Sequence, residues 1–233
     1  MKKYKIIFIL VIACSCVMPA MAQLGELRSN LAVGINGGLN MSKVDFSPSI
    51  KQKSQNGMAF GATARYICEK YFKMICGVQI ELNYSQRGWN ENIEDGTENT
   101  YSRTMNYLEL PLLAHLAFGK DALDSGMRFF LNLGPQFGFF LSEKENMSEN
   151  WDPSHRPNGI NQQYGKMTEN KFDYGIVGGA GLELSTGVGH FLLEGRYYFG
   201  LSDFYKSTKK DEFGRSGHSY IGIRLTYLYD IIK

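Results

Sequence analysis

The 233-residue chain has room for one large β domain or two small ones, and its 26 Gly against 6 Pro favour strands and turns over packed helices. Basic residues number 25 against 23 acidic ones, a balance that leaves no electrostatic footprint for a nucleic acid. No stretch beyond the N-terminus approaches the ~18 consecutive apolar residues of a spanning helix, so any insertion into a bilayer must use strands.

Residues 1–22 read as a cleaved signal peptide. Lys2, Lys3 and Lys5 precede an apolar run from Ile6 to about Ala13, and Ala20-Met21-Ala22 offers the small residues that a signal peptidase recognises before Gln23. Val11-Ile12-Ala13-Cys14 also fits a lipoprotein cleavage box that would leave Cys14 as a lipidated terminus. Loss of residues 1–22 removes three lysines, so 22 basic residues face 23 acidic ones and the formal charge becomes −1. Residues 23–29 then form a short periplasmic segment, and residues 30–233 form one β domain.

Within that domain about eight segments place apolar residues at every second position. Strand one, about Asn30 to Met41, sets Leu31, Val33, Ile35, Leu39 and Met41 against Gly34, Asn36, Gly38 and Asn40. Strand two, near Gly57 to Cys68, sets Met58, Phe60, Ala62, Ala64 and Tyr66 against Gly61, Thr63 and Arg65. Strand three is the clearest: Met74, Cys76, Val78, Ile80, Leu82 and Tyr84 alternate with Gly77, Gln79, Glu81, Asn83 and Ser85. Strand four, near Met105 to Phe118, opposes Leu108, Leu110, Leu112, Ala114 and Leu116 to Glu109, Pro111 and His115; Pro111 lacks a backbone donor and implies a bulge or a locally unpaired position. Strand five (about Arg128 to Ser142), strand six (from Phe172), strand seven (around Leu193 to Leu201) and strand eight (around Ile221 to Tyr229) repeat the pattern.

The connections after strands one, three, five and seven are long and polar: 42–56, 87–103, 143–171 and 202–217. Those after strands two, four and six are short: 69–72, 119–126 and 186–190. This asymmetry fits a single-chain outer-membrane barrel with both termini at the short-turn rim. Cys68 and Cys76 fall on neighbouring strands facing the same side, either as small lipid-facing residues or as a cross-strand disulfide.

Alternation alone does not say which face is inside. Strands of about 10 to 14 residues suit a tilted membrane span. A glycine-rich polar face suits a narrow lumen, and aromatic residues near strand ends (Tyr84, Phe118, Phe129, Tyr227, Tyr229) suit an interfacial girdle. Each backbone group in the hydrocarbon needs an internal partner, so the sheet must close. The reading is all-β: an eight-stranded antiparallel up-and-down transmembrane β-barrel, surrounded by outer-membrane lipid.

The polar face then becomes an interior cluster of Arg65, Arg196 and Arg224 with Glu81, Glu109, Glu183 and Glu194, the one acid in excess lying near water, protonated, or bonded to His115. Pairing is required because a lone buried charge costs several kcal/mol. The run from Gly175 to Gly181 lacks the spacing and the following helix of a dinucleotide loop, so no cofactor is expected. Glu109 and His115 could serve as an acid/base pair, yet the four histidines lack metal-ligand spacing and no serine nucleophile motif appears. A non-enzymatic barrel is the first reading, with a membrane enzyme or a narrow pore as alternatives. Candidate interaction residues on the long loops are Trp89, Trp151, His155 and Arg156. The acidic residues of the second loop (Glu91, Glu94, Asp95, Glu98) are read as scattered surface charge rather than a cation site.

Several segments together resemble the PorT-like outer-membrane β-barrel proteins of Bacteroidetes. They are Gly34-Ile-Asn-Gly-Gly-Leu-Asn-Met-Ser42, Tyr107-Leu-Glu-Leu-Pro-Leu-Leu113, Gly134-Pro-Gln-Phe-Gly138, the run from Phe172 to Glu183, and Glu194-Gly-Arg-Tyr-Tyr-Phe-Gly-Leu201. The resemblance spans essentially the whole mature chain. It implies an integral outer-membrane barrel and makes Pro111 a familiar position. It implies no catalytic residues, and its founding member's tie to protein secretion suggests envelope or secretion proteins as partners.

Overall fold

The computed structural model describes residues 26–94, 96, 98–119, 125–149, 151–153 and 160–232; the expected signal peptide, residues 1–22, falls outside them. Nine strands follow in order: β1 (Glu26–Ser47), β2 (Gln52–Lys53), β3 (Gln55–Tyr71), β4 (Met74–Glu91), β5 (Tyr101–Gly119), β6 (Gly126–Met147), β7 (Phe172–Thr186), β8 (Gly189–Gly200) and β9 (Arg215–Ile232). Eight of them pair antiparallel with their chain neighbours, and β1 closes the ring on β9 through pairs such as Leu39↔Ile223 and Ile35↔Tyr227. The two-residue β2 sits outside the ring on the tip of β4, with Gln52 opposite Glu91. The molecule is an antiparallel eight-stranded barrel.

Orientation of the side chains follows the sequence periodicity. Ile35, Leu39, Val78, Ile80, Leu82, Leu193, Ile223 and Leu225 are all exposed on the outer wall, while Asn36, Gln79, Glu81, Glu194 and Arg224 between them are buried. Such a surface is stable only in a solvent as apolar as itself, and closure leaves no strand edge to be satisfied there. On β5 the apolar band runs from Leu108 to Phe118. Ten residue steps at ~3.4 Å, tilted by ~40°, span about 25 Å of height, the thickness of such a band in outer-membrane barrels.

The strands are longer than the alternation indicates, running from 12 residues in β8 to 22 in β1 and β6. The first strand begins at Glu26, so residues 26–29 belong to the sheet rather than preceding it. At the long-loop rim β1, β4, β5 and β6 continue past the apolar band, to Ser47, to Glu91, from Tyr101 and to Met147. There the outward positions turn polar (Lys43, Asp45, Asn90, Ser102, Lys144) and the inward ones turn apolar (Val44, Phe46, Trp89, Tyr101, Met105). The inside-out pattern of a membrane barrel thus gives way to that of a water-soluble one, because the outer wall leaves lipid for water.

Pro111 disturbs the sheet as its missing donor implies. The β4–β5 register passes from Ile80↔Leu112 directly to Asn83↔Glu109, leaving Glu81 and Leu82 unpaired with Pro111 and Leu110. Cys68 occupies a bulge between Ile67↔Gly77 and Glu69↔Cys76, and both thiols are free.

Candidate functional site: the lumen and its cap

Inward side chains form three charged tiers. Nearest the short turns, Arg65 on β3 grips Glu183 on β7 with two hydrogen bonds of 2.9 and 3.1 Å. Arg128 donates to the same carboxylate at 2.9 Å, and His190 Nδ1 lies 2.9 Å from it. His190 Nε2 lies 2.9 Å from Asp230, which also accepts from Asn30 at 3.0 Å. His115 approaches Glu183 only to 4.0 Å; its partner is Asn132 at 2.8 Å.

In the middle tier Arg196 on β8 reaches Glu81 on β4 through two 2.8 Å hydrogen bonds and donates to Glu194 at 2.9 Å. Gln79 and Asn83 donate to the Glu81 carboxylate at 2.7 and 2.8 Å, so its position is fixed from three sides. Glycine makes the room: a Cβ on Gly179, the register partner of Arg196, would stand 2.0 Å from Glu194 Oε1. Arg224 stands apart from these contacts; although opposite Glu194 in register, it donates to Asn40 Oδ1 at 2.9 Å.

The third tier lies toward the long loops. Arg87 on β4 donates to Glu109 at 2.8 Å and to Asp173 on β7 at 2.7 Å, with its guanidinium 4.3 Å from the Tyr107 ring centroid. Asp173 also accepts from Tyr198 at 2.6 Å and from Ser202 at 2.5 Å. In ring order β3 faces β7 and β4 faces β8 across four positions, so Arg65–Glu183 and Arg196–Glu81 join opposite walls. Two extended side chains suffice to cross an eight-stranded barrel.

Above the third tier, Phe46, Trp89, Tyr101, Phe204, Tyr205 and Phe213 form an aromatic core roofed by residues 160–171 and 201–214. Trp89 packs edge-on against Phe46 at 5.1 Å and stacks on Phe204 at 5.9 Å. Arg103, wholly buried, donates to the Tyr205 hydroxyl at 2.7 Å, to Glu145 and to the Lys166 carbonyl. Burial raises the Tyr205 hydroxyl well above the ordinary tyrosine range, so it stays a neutral acceptor and donor.

The sequence-derived site residues are therefore distributed as follows. Arg65 and Glu183 meet, Glu81, Glu194 and Arg196 meet, Glu109 pairs with Arg87, and His115 and Arg224 take amide partners. His115 bonds Asn132 and comes no nearer than 4.0 Å to Glu183, while Glu109 has an arginine partner. Arg87, Arg128 and Asp173 complete the set, bringing the buried lumen to five Arg and five carboxylates. Arg87 falls in the 87–103 span that the outward apolar alternation leaves as a loop, although Gln79, Glu81, Asn83, Ser85, Arg87 and Trp89 keep one odd-numbered phase along β4. Trp89 is corrected for the same reason: it is no loop residue but a fully buried ring at the end of β4. Trp151 packs on Tyr101 and Tyr164 at 5.4 and 4.8 Å; His155 and Arg156 lie outside the described residues.

An apolar outer band about 25 Å tall around a closed polar interior defines an integral β-barrel of the outer membrane. The family profile described as "Outer membrane protein beta-barrel domain" matches residues 21–206, and the chain belongs to that family. Among solved structures, OprG of Pseudomonas aeruginosa is similar at 11% identity with a TM-score of 0.46, covering 90% of this chain and 99% of that one. Ail, the attachment invasion locus protein of Yersinia pestis, solved with the heparin analogue sucrose octasulfate, aligns at 13% identity and a TM-score of 0.38, over 87% of this chain and 100% of that one. Neisserial surface protein A gives 12% identity and a TM-score of 0.36, over 84% and 96%. No curated protein matches.

Proposed function

We propose that this protein is a non-enzymatic, non-conducting barrel that holds an ordered cap at the cell surface, as a docking scaffold for envelope or secretion proteins. The observation that carries the reading is the pair of ion bridges joining opposite walls, Arg65–Glu183 and Arg196–Glu81, with every charged member buried. A permeant ion would have to displace side chains held by several charge-assisted hydrogen bonds each. The long-loop rim faces outward in this reading, which follows the loop asymmetry of single-chain barrels. The resemblance to PorT-like proteins supports the same role. Planar-bilayer recordings of the purified protein test it: no steady conductance is expected, and reproducible single-channel steps would overturn it. Protease shaving of intact cells tests the orientation, with cleavage expected within 143–171; protection there and cleavage within 119–126 would reverse it.

A further inference from the structure

Where the β7–β8 pairing ends, the wall of the barrel opens into a groove of about 490 Å³ lined by Glu169, Asn170, Lys171, Phe172, Tyr174, Leu201, Ser202, Asp203 and Ser207. Its volume falls in the range of pockets that hold small molecules. We infer that this groove is a binding site for a membrane lipid that carries a phosphate on its headgroup.

The two walls differ in chemistry. The lower one is made by Phe172, Tyr174 and Leu201, each about half exposed and continuous with the outward row of Ile176 and Phe199 below. The backbone N–H of Leu201 donates to the Tyr174 carbonyl at 2.9 Å, so these side chains sit on the last rung of the β7–β8 sheet at the edge of the apolar band. An acyl chain lying along β7 and β8 meets this wall without leaving hydrocarbon. The upper wall is polar and lies at headgroup height.

Charge selects the headgroup. Both carboxylates of the upper wall are already compensated. Glu169 accepts the Lys206 backbone N–H at 2.8 Å and lies 3.8 and 3.9 Å from the Lys166 and Lys206 ammonium groups. Asp203 accepts the Ser216 N–H at 2.7 Å with Arg215 at 3.8 Å. Ser202 is turned inward to Asp173, and Asn170 donates to the Asp203 carbonyl at 2.7 Å. Among the described residues no carboxylate forms an ion pair with the exposed Lys171, and Lys171 and Ser207 both line the groove. A lysine and a serine lining one groove above an apolar shelf suit the phosphate of an amphiphile, with its chain directed down the wall.

Placing the site in the outer leaflet rests on the orientation proposed above, but lipid binding itself does not. Native mass spectrometry of the full protein in a phosphate-free maltoside micelle, which has no sides, therefore separates the two readings. Monophosphoryl lipid A is the probe, its dephosphorylated form the lipid control and inorganic phosphate the soluble competitor. The wild type is expected to retain the phosphorylated lipid, and Lys171→Glu to retain about tenfold less, a loss of one favourable charge contact and its reversal. Unchanged migration of the unboiled barrel on a gel will show that the variant is folded. Equal retention by wild type and Lys171→Glu would overturn the site, as would equal retention of the dephosphorylated form. Displacement by inorganic phosphate at the lipid's own concentration would make it a site for free anions instead and overturn the lipid assignment.

Discussion

Replacing Arg196 with methionine tests the middle tier most directly. Arg196 makes two hydrogen bonds to Glu81 and one of 2.9 Å to Glu194, and all three side chains are buried. Methionine fills much of the same volume without the charge, so the change isolates the loss of the cation. Removing one member of a buried ion pair costs about 3 to 5 kcal/mol, because the other charge stays buried without compensation. Gln79 and Asn83 still donate to Glu81, which places the expected loss at the lower end, about 3 kcal/mol. Urea unfolding in lipid vesicles, followed by tryptophan fluorescence and by gel migration without boiling, reads this as a lower midpoint at constant slope. Glu81→Gln alone leaves Arg196 with Glu194 and should cost less, and the double variant should show a coupling of about 1 to 3 kcal/mol. A midpoint for Arg196→Met within about 0.5 kcal/mol of wild type, or additive effects in the double variant, would refute a bridged lumen.

Three further substitutions probe the outer wall, the third tier and the cap. Leu112→Arg, near the middle of the β5 apolar band, should reduce stability in vesicles by about 2 to 4 kcal/mol, and no measurable loss would place Leu112 away from lipid. Glu109→Ala should cost about 2 kcal/mol rather than the full price of a stranded cation, because Asp173 still holds Arg87; urea midpoints in the same vesicles will decide. Trp89→Ala removes the buried ring that joins Phe46 to Phe204 and should loosen the cap without opening the barrel. Hydrogen exchange should then rise in residues 160–171 and 201–214 while β7 and β8 stay protected, and uniform exchange across both regions would contradict a separately packed cap.

The part of the fold legible in the sequence is the part that touches lipid. Val78, Ile80 and Leu82 advertise their face because hydrocarbon tolerates nothing polar there, and the residues between them are free to be Gln79, Glu81 and Asn83. Inside the lumen the sequence reveals charge but not partners, since Arg65 and Glu183 lie 118 positions apart and meet only through closure of the ring. Register on adjacent strands is equally silent: Glu194 lies opposite Arg224 yet pairs with Arg196, two positions along its own strand.

The long-loop rim was hidden for a different reason. A search for outward apolar alternation stops where the outer wall reaches water, so β1 is cut at Met41 and β4 at Tyr84, although both strands continue. The signal is nevertheless present as an inversion of phase. In β1 the outward residues pass from Leu39 and Met41 to Lys43 and Asp45, while the inward ones pass from Asn40 and Ser42 to Val44 and Phe46. In β4 the inward row passes from Glu81, Asn83 and Ser85 through Arg87 to Trp89. An apolar row that changes sides without a break in the two-residue period can be satisfied only if the solvent around the strand changes. The position of the inversion therefore marks the membrane surface, and the five residue steps of β1 from Met41 to Phe46 lift the aromatic core about 13 Å above it, at ~3.4 Å per residue with a ~40° tilt. A packed aromatic core at that height, on strands joined below it by three tiers of ion pairs, suits the docking role proposed above.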